Sequence, residues 1–131
     1  MASYSGRGGI IKVGTAVVAE VEDWTLETSV AIRFITSCGD ESVKRAADGL
    51  KDSKGGLSAR FDDTDTNGQQ ALLEGASPTL KLYPAGDSSG RQFITVPAVI
   101  PSNDIASGIN SESTTVNITF EGNGDITRGT V

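Results

Sequence analysis

From Thr115 to Phe120 apolar and polar side chains alternate without a break: Val116, Ile118 and Phe120 against Thr115, Asn117 and Thr119. A period of two is that of a strand with one face buried and the other wet, and the pattern recurs along the chain. Gln92 to Ile100 sets Ile94, Val96, Ala98 and Ile100 on one side, and Thr79 to Tyr83 sets Leu80 and Leu82 against Lys81 and Tyr83. Gly9–Val13, Leu57–Phe61 and Ile126–Val131 read as shorter strands. Gly14-Thr15, Gly86–Gly90 and Asn123-Gly124 are turn signals between them. The 16 glycines and 4 prolines suit many strands joined by tight turns. Pro97 suggests an edge strand or a bulge, and Pro101–Ser113 reads as a polar loop. A length of 131 residues fits one domain, with residues 1–8 as a flexible arm. The expected fold is mainly β: a β-sandwich or barrel of about seven to eight strands, with one flanking α-helix and a long inter-strand loop.

Two segments complicate the alternation. In TAVVAEVEDWTLETSVAIRFI, Val17, Ala19 and Val21 share one parity, whereas Trp24, Leu26, Val30, Ile32 and Phe34 share the other. A parity flip without a turn predicts a β-bulge or sharp bend near Glu22-Asp23. Glu20, Glu22 and Glu27 then read as part of a solvated face. The second segment, Ser37–Gly56, is rich in charge and poor in apolar residues. Val43, Ala46, Ala47 and Leu50 fall at helical spacing, but Gly49 and Gly55-Gly56 limit any helix. A connection this long inside a small β domain is either a surface loop or an arm that reaches a neighbouring subunit.

The formal charge of −6 and the lack of clustered Lys and Arg argue against attraction to nucleic-acid phosphates. There is no His, which removes His-based general-base chemistry and His metal ligation. The lone Cys38 makes no internal disulfide and reads as a partly buried, inert thiol. The first residues lack the apolar core of a signal peptide, and no apolar run approaches the roughly 20 residues that span a bilayer. No catalytic constellation is present. Asp62-Asp63 would need a cleft to raise one pKa, and Gly6, Gly8 and Gly9 precede a strand, not the helix of a phosphate loop. A non-enzymatic protein without cofactors is expected.

The acidic turn after Phe61 demands its own reading. Asp63-Thr64-Asp65-Thr66-Asn67-Gly68, with Glu74 closing the pattern, matches the calcium loop D-x-[DN]-x-[DN]-G-x5-E. Context disagrees: a strand precedes it, Gly75 and Pro78 stop any helix after it within a turn, and the usually aliphatic position is Gln70. A capping box at Thr66-x-x-Gln69 explains the same residues as the start of a helix. Asp65 and Thr66 cap its positive end, Ala71, Leu72 and Leu73 supply its buried face, and Gly75 ends it. A calcium- or ligand-binding β-sandwich module remains the second reading.

Taken in order, the Gly-rich start, AEVEDWTLE, Gly39-Asp40, Asp48-Gly49-Leu50, FDDTDTNGQQALL, LYPAG and TTVNITFEGNGDIT carry a likeness along nearly the whole chain. The chain resembles the major tail tube proteins of long-tailed (siphovirus-like) bacteriophages; KDSKGG departs from the aromatic expected there. The resemblance implies hexameric rings stacked into a hollow tube in the virion tail, assembled in the host cytoplasm. It implies tape measure, terminator and distal tail proteins as partners, and double-stranded DNA in transit without specific binding. On that basis Glu20, Glu22 and Glu27 become candidate lumen-facing acids. Asp40, Glu41, Lys44, Arg45, Lys51 and Lys54 become candidate contacts between rings.

Overall fold

The computed structural model describes residues 9–109 and 114–131. The arm expected at 1–8 lies outside the described residues. Ten strands follow in order: β1 (Ile10–Val13), β2 (Ala16–Val17), β3 (Val21–Val30), β4 (Arg33–Phe34), β5 (Arg45–Ala46), β6 (Lys51–Arg60), β7 (Thr79–Tyr83), β8 (Gln92–Ala106), β9 (Thr115–Gly122) and β10 (Thr127–Thr130). Eight form one antiparallel sheet in the order β2-β1-β7-β8-β9-β6-β3, with β10 also paired to β8; β4 and β5 pair only with each other. Among the described residues no ladder joins β2 to β3, so the sheet is not a closed barrel.

The long strand β8 serves two halves of the sheet. Its first part lies between β7 and β10, and its second part pairs with β9. Pro97 therefore lies inside a central strand and not on an edge. It sits where one neighbour, β10, gives way to the other, β9, so the amide that proline lacks is not missed. Pro101 falls at the register shift between Val99 and Ser102. Beyond it β8 runs on to Ala106, where a polar loop was expected, because β9 supplies a ladder for those residues. The turn at Asn123-Gly124 is a jog and not a hairpin: β10 continues along β8 in the direction of β9.

The strict alternations are reproduced. Leu80, Leu82, Val96, Ala98, Ile100, Val116, Ile118 and Phe120 are buried and form one cluster with Ile11, Val18, Leu57, Ala59 and Leu72. Both halves of the sheet contribute, so the sheet curls around a shared core. The bulge is where the parity flip placed it, between Val21 and Asp23. Upstream the parity is different from expectation: Val18 is buried and Val17 exposed. The chain turns at Ala19-Glu20 and so does not extend as one strand.

Strand β6 starts at Lys51, not at Leu57, so residues 51–56 belong to a strand and not to the extended loop expected at 37–56. The glycines that seemed to exclude regular structure are there for packing. A Cβ at Gly55 would run into the Thr25 carbonyl and the Phe120 ring, so glycine lets the core phenylalanine lie against the backbone. The helix proposed over 43–50 is absent; Arg45–Ala46 is strand β5.

The flanking α-helix is also absent. A 3-10 turn at Gln69–Ala71 takes its place, and Leu73 is exposed. The expected capping box is not formed: the Thr66 hydroxyl has no hydrogen bond among the described residues. Instead the buried Gln69 side chain binds three backbone groups. Its Nε2 donates to the Ala19 and Arg60 carbonyls, each at 2.7 Å, and its Oε1 accepts from the Asp62 amide at 2.9 Å. The Asp65 carboxylate accepts from the Ala19 amide at 2.8 Å and the Gln69 amide at 3.0 Å. A helix would carry this glutamine away from Ala19 and Arg60, so the tertiary hydrogen bonds outcompete the capping box.

These contacts separate the two readings of the turn. Gln69→Leu strips partners from buried backbone groups and should lower stability by about 3 kcal/mol. Thr66→Ala should change it by less than about 0.5 kcal/mol. Urea unfolding of the two variants measures both; equal losses would restore the capping box.

Candidate functional site

Register puts the polar residues of the second half of the sheet on one outward face. Asp23, Ser58, Asn117 and Asp104 form a row across β3, β6, β9 and β8, and Thr25, Gly56, Thr119 and Ser102 form the next. Glu27, Lys54 and Glu121 begin a third. The Ser102 and Thr119 hydroxyls lie 2.6 Å apart in hydrogen-bond contact. The face is uncharged along its middle row and acidic in balance: Asp23, Glu27, Asp52, Asp104 and Glu121 outnumber Lys54 and Arg60. An acidic face carries no cluster of cations that would attract a polyanion.

The three glutamates expected to share a face do not. Glu27 is on the outward face, with its carboxylate 3.9 Å from Lys54 Nζ. Glu22 is in the bulge, 3.5 Å from Arg60 Nε. Glu20 precedes β3 at φ 59°, in the left-handed region. Two of the three therefore have a cation beside them, although pairs this exposed add little stability.

The residues singled out between rings are also divided. Lys51 and Lys54 belong to β6. Asp40, Glu41, Lys44 and Arg45 belong to an excursion, Ala31–Leu50, that leaves the end of β3, folds on itself through β4 and β5, and returns to β6. Local contacts hold it: Asp40 pairs with Lys44 at 3.2 Å, Asp48 with Arg33 at 2.7 Å, and Arg45 lies over the Phe34 ring at 5.2 Å. Glu41 is exposed without a partner among the described residues. Cys38, read as partly buried, is exposed near the tip.

Sequence reasoning missed what is most unusual here. Ile32, Phe34, Ile35, Val43 and Leu50 are all exposed, Phe34 at 71% and Leu50 at 89%. Ile32 and Phe34 read as continuing a half-buried strand, and Val43 and Leu50 as the buried face of a helix. The available signal was the surrounding charge, which leaves too little apolar surface nearby to cover them.

The calcium pattern does not assemble. Asp65 is turned inward onto backbone amides, and among the described residues no three Asp, Glu or Cys side chains come together as a metal-binding group. Asp62 instead accepts from the Thr64 hydroxyl at 2.6 Å and the Thr64 amide at 3.0 Å. These bonds, the hydroxyl first, lower its pKa from the ordinary aspartate value. Among the described residues no helix is long and apolar enough to cross a membrane.

The sequence matches no protein-family model and no curated protein sequence. Among solved structures, a chain of the native gene transfer agent virion is similar, with a TM-score of 0.78, 16% identity and coverage of 97% of this chain and 99% of that one. A chain from the tail of the empty gene transfer agent particle, a structure with C6 symmetry, has a TM-score of 0.79 at 16% identity, covering 95% and 98%. A chain of an extracellular contractile injection system, in its extended sheath–tube complex, has a TM-score of 0.73 at 13% identity, covering 98% and 93%. The chain has the tail-tube fold. That tail-tube fold spans essentially the whole chain, and it is common to a gene transfer agent tail and a contractile injection system.

The Asp62 turn has a measurable signature. Its folded pKa is depressed, so its small contribution is present above the unfolded carboxylate pKa and is lost as pH falls through the folded value. Thr64→Ala should move the Asp62 pKa back up toward its ordinary value, as read by NMR titration of the carboxylate. An unchanged titration would assign the shift to another cause.

Proposed function

We propose that this chain is a structural tail-tube subunit that assembles into hexameric rings, stacked into a hollow conduit in a virion tail. The observation that carries the reading is the fold likeness along almost the whole chain, including to a tail with C6 symmetry. Two features of the chain itself support it. Strand β3 is a ten-residue edge paired only on its β6 side, a ready site for strand addition by a neighbour. The exposed apolar excursion is a surface that a lone subunit leaves in water. Both are liabilities in a monomer and contacts in a ring.

The role is non-enzymatic. On this reading the subunit is produced in the host cytoplasm and meets the tape measure, terminator and distal tail proteins at the tube's interior and ends. The acidic outward face of β3, β6, β9 and β8 lines the channel, where double-stranded DNA passes without specific binding. Duplex DNA carries about one negative charge per ~1.7 Å of axis. A basic lumen would hold it; a hydrated, weakly acidic one leaves it mobile. Screening limits the repulsion to about 8–10 Å, so the carboxylates on the face matter and distant ones do not.

Negative-stain electron microscopy of the concentrated protein tests the assembly. Rings or tubes with a regular repeat are expected; a monomer at every concentration overturns the reading. The lumen assignment is tested with Glu27→Lys and Glu121→Lys together. Tubes of normal geometry should release DNA more slowly, with a deficit that shrinks as salt rises. Release at the wild-type rate across salt concentrations removes the acidic-lumen mechanism.

A further inference from the structure

We propose that Asn123 is a spontaneous modification site, deamidated through attack by the amide nitrogen of Gly124 at the jog between β9 and β10. The reaction needs only the folded subunit, so it is independent of the tube reading.

Three dipeptides place glycine directly after Asn or Asp: Asp48-Gly49, Asn67-Gly68 and Asn123-Gly124. Glycine in that position leaves its amide nitrogen open to the preceding side-chain carbonyl, because no Cβ stands in the way. The nitrogen attacks Cγ, a five-membered succinimide closes, and the side-chain amide leaves as ammonia, taking the proton of the attacking N–H. Water then opens the ring at either carbonyl. One opening gives Asp; the other gives isoaspartate, in which the backbone runs through Cβ and Cγ. The sum is one water consumed and one ammonia released, with no oxidant or reductant.

The fold closes two of the three. The Gly49 amide donates to the Ala31 carbonyl at 3.0 Å, and the Asp48 carboxylate, a poor electrophile when ionised, is paired with Arg33 at 2.7 Å. The Gly68 amide donates to the Asp65 carbonyl at 3.3 Å, and the Gly68 carbonyl accepts from the Ala71 amide at 3.1 Å. Gly68 is buried, and Gln69 beside it is fixed to Ala19, Arg60 and Asp62. Turning the Gly68 nitrogen toward the Asn67 side chain would pull this joint apart.

Asn123-Gly124 is left open. Both residues are exposed, and residues 123–126 belong to no strand. The Asn123 amide donates to the Pro97 carbonyl at 2.8 Å, which fixes the chain ahead of the reacting bond and leaves the ψ rotation of Asn123 unhindered. The Gly124 amide has no hydrogen-bond partner among the described residues, so the attacking nitrogen has only water to give up. Gly124 has φ 133°, a conformation that suits glycine. The atom nearest to a Cβ there would be Pro97 Cγ, 3.8 Å off.

Either product adds a carboxylate to an acidic chain, two residues from Asp125. Isoaspartate also lengthens the backbone just ahead of β10. That strand is held by β8 alone, through the pairs from Thr127↔Thr95 to Thr130↔Gln92. Strand β10 is therefore the part of the sheet that the modification loosens.

Peptide mass spectrometry of the full chain, folded or unfolded in urea and held in mildly alkaline buffer, follows both asparagines. Folding should slow Asn67 at least about tenfold, since its reaction must wait for local opening, and should leave Asn123 within a few-fold of its unfolded rate. Equal rates at the two sites in the folded chain overturn the proposal, and so does protection of Asn123 as strong as that of Asn67. Isoaspartate is read separately with an isoaspartyl O-methyltransferase. Its label should map to the Asn123 position; a label at Asp48 or Asn67 instead overturns the proposal. Asn123→Gln keeps the side-chain amide but would have to close a larger ring, which is slower. This variant should lose the fast release of ammonia and keep its melting temperature; ammonia released at the original rate overturns the assignment. In the modified fraction the amides of β10 should exchange hydrogen faster than those of β9, and unchanged exchange overturns the loosening of β10.

Discussion

Backbone amides and carbonyls must find partners, and in this molecule that constraint is satisfied inside and left open at the boundary. Most strands of the curled sheet have neighbours on both sides, but among the described residues β2 pairs only with β1, β3 only with β6 and β10 only with β8. Strand β3 is ten residues long, has no proline, and bears one bulge near its start. Natural monomers rarely leave such an edge unprotected. Where the fold has to end a ladder internally, it does so with care: Gln69 and Asp65 satisfy Ala19, Arg60 and Asp62 at the joint between β2, β3 and β6. The contrast between this closed joint and the open edge of β3 fits the subunit pairing proposed for the ring.

How much could be read in the residues depended on whether local pattern and tertiary demand agreed. In Thr115–Phe120 and Gln92–Ile100 they agree, so burial followed parity, and the bulge at Glu22-Asp23 announced itself as a phase error. The failures share one cause. Gly55-Gly56 looked like a break because glycine is a poor strand former on its own; only the Phe120 ring, some sixty-five residues on, explains it. Thr66-x-x-Gln69 satisfied a local capping rule, but the glutamine is taken by carbonyls from Ala19 and Arg60, which no local window contains. Pro97 was assigned to an edge because a central strand normally needs every amide, and a change of neighbour partway along a strand has no sequence signature.

The exposed apolar excursion was harder to read for a different reason. Half-buried strand and exposed apolar hairpin look alike as sequence, since both alternate. Ile32 and Phe34 keep the parity of Trp24 and Leu26, yet the latter pack on the core and the former do not. What separates them is the absence of a partner layer beyond the start of β6, a property of the whole sheet. The candidate carboxylates suffered similarly: composition located them, but only register separated Glu27, on the face, from Glu22, in the bulge, and Glu20, in the turn.

The charge distribution bears on how copies of an acidic chain come together. Identical subunits of net charge −6 repel one another at distances shorter than the screening length of about 8 Å. In the excursion between Ala31 and Leu50, Arg33, Lys44 and Arg45 balance Asp40, Glu41 and Asp48. The excess of negative charge therefore resides in the rest of the chain, and in the proposed tube the excursion would approach another copy with no net electrostatic penalty. Its apolar side chains would supply the attraction: burying a group such as Phe34 is worth about 1.5–3 kcal/mol, and in the proposed ring every subunit would make the contact at once. Contacts too weak to hold two subunits become decisive when repeated around a ring. On the proposed assembly, a chain arranged this way would stay apart as a free subunit and associate firmly only as part of a growing tube.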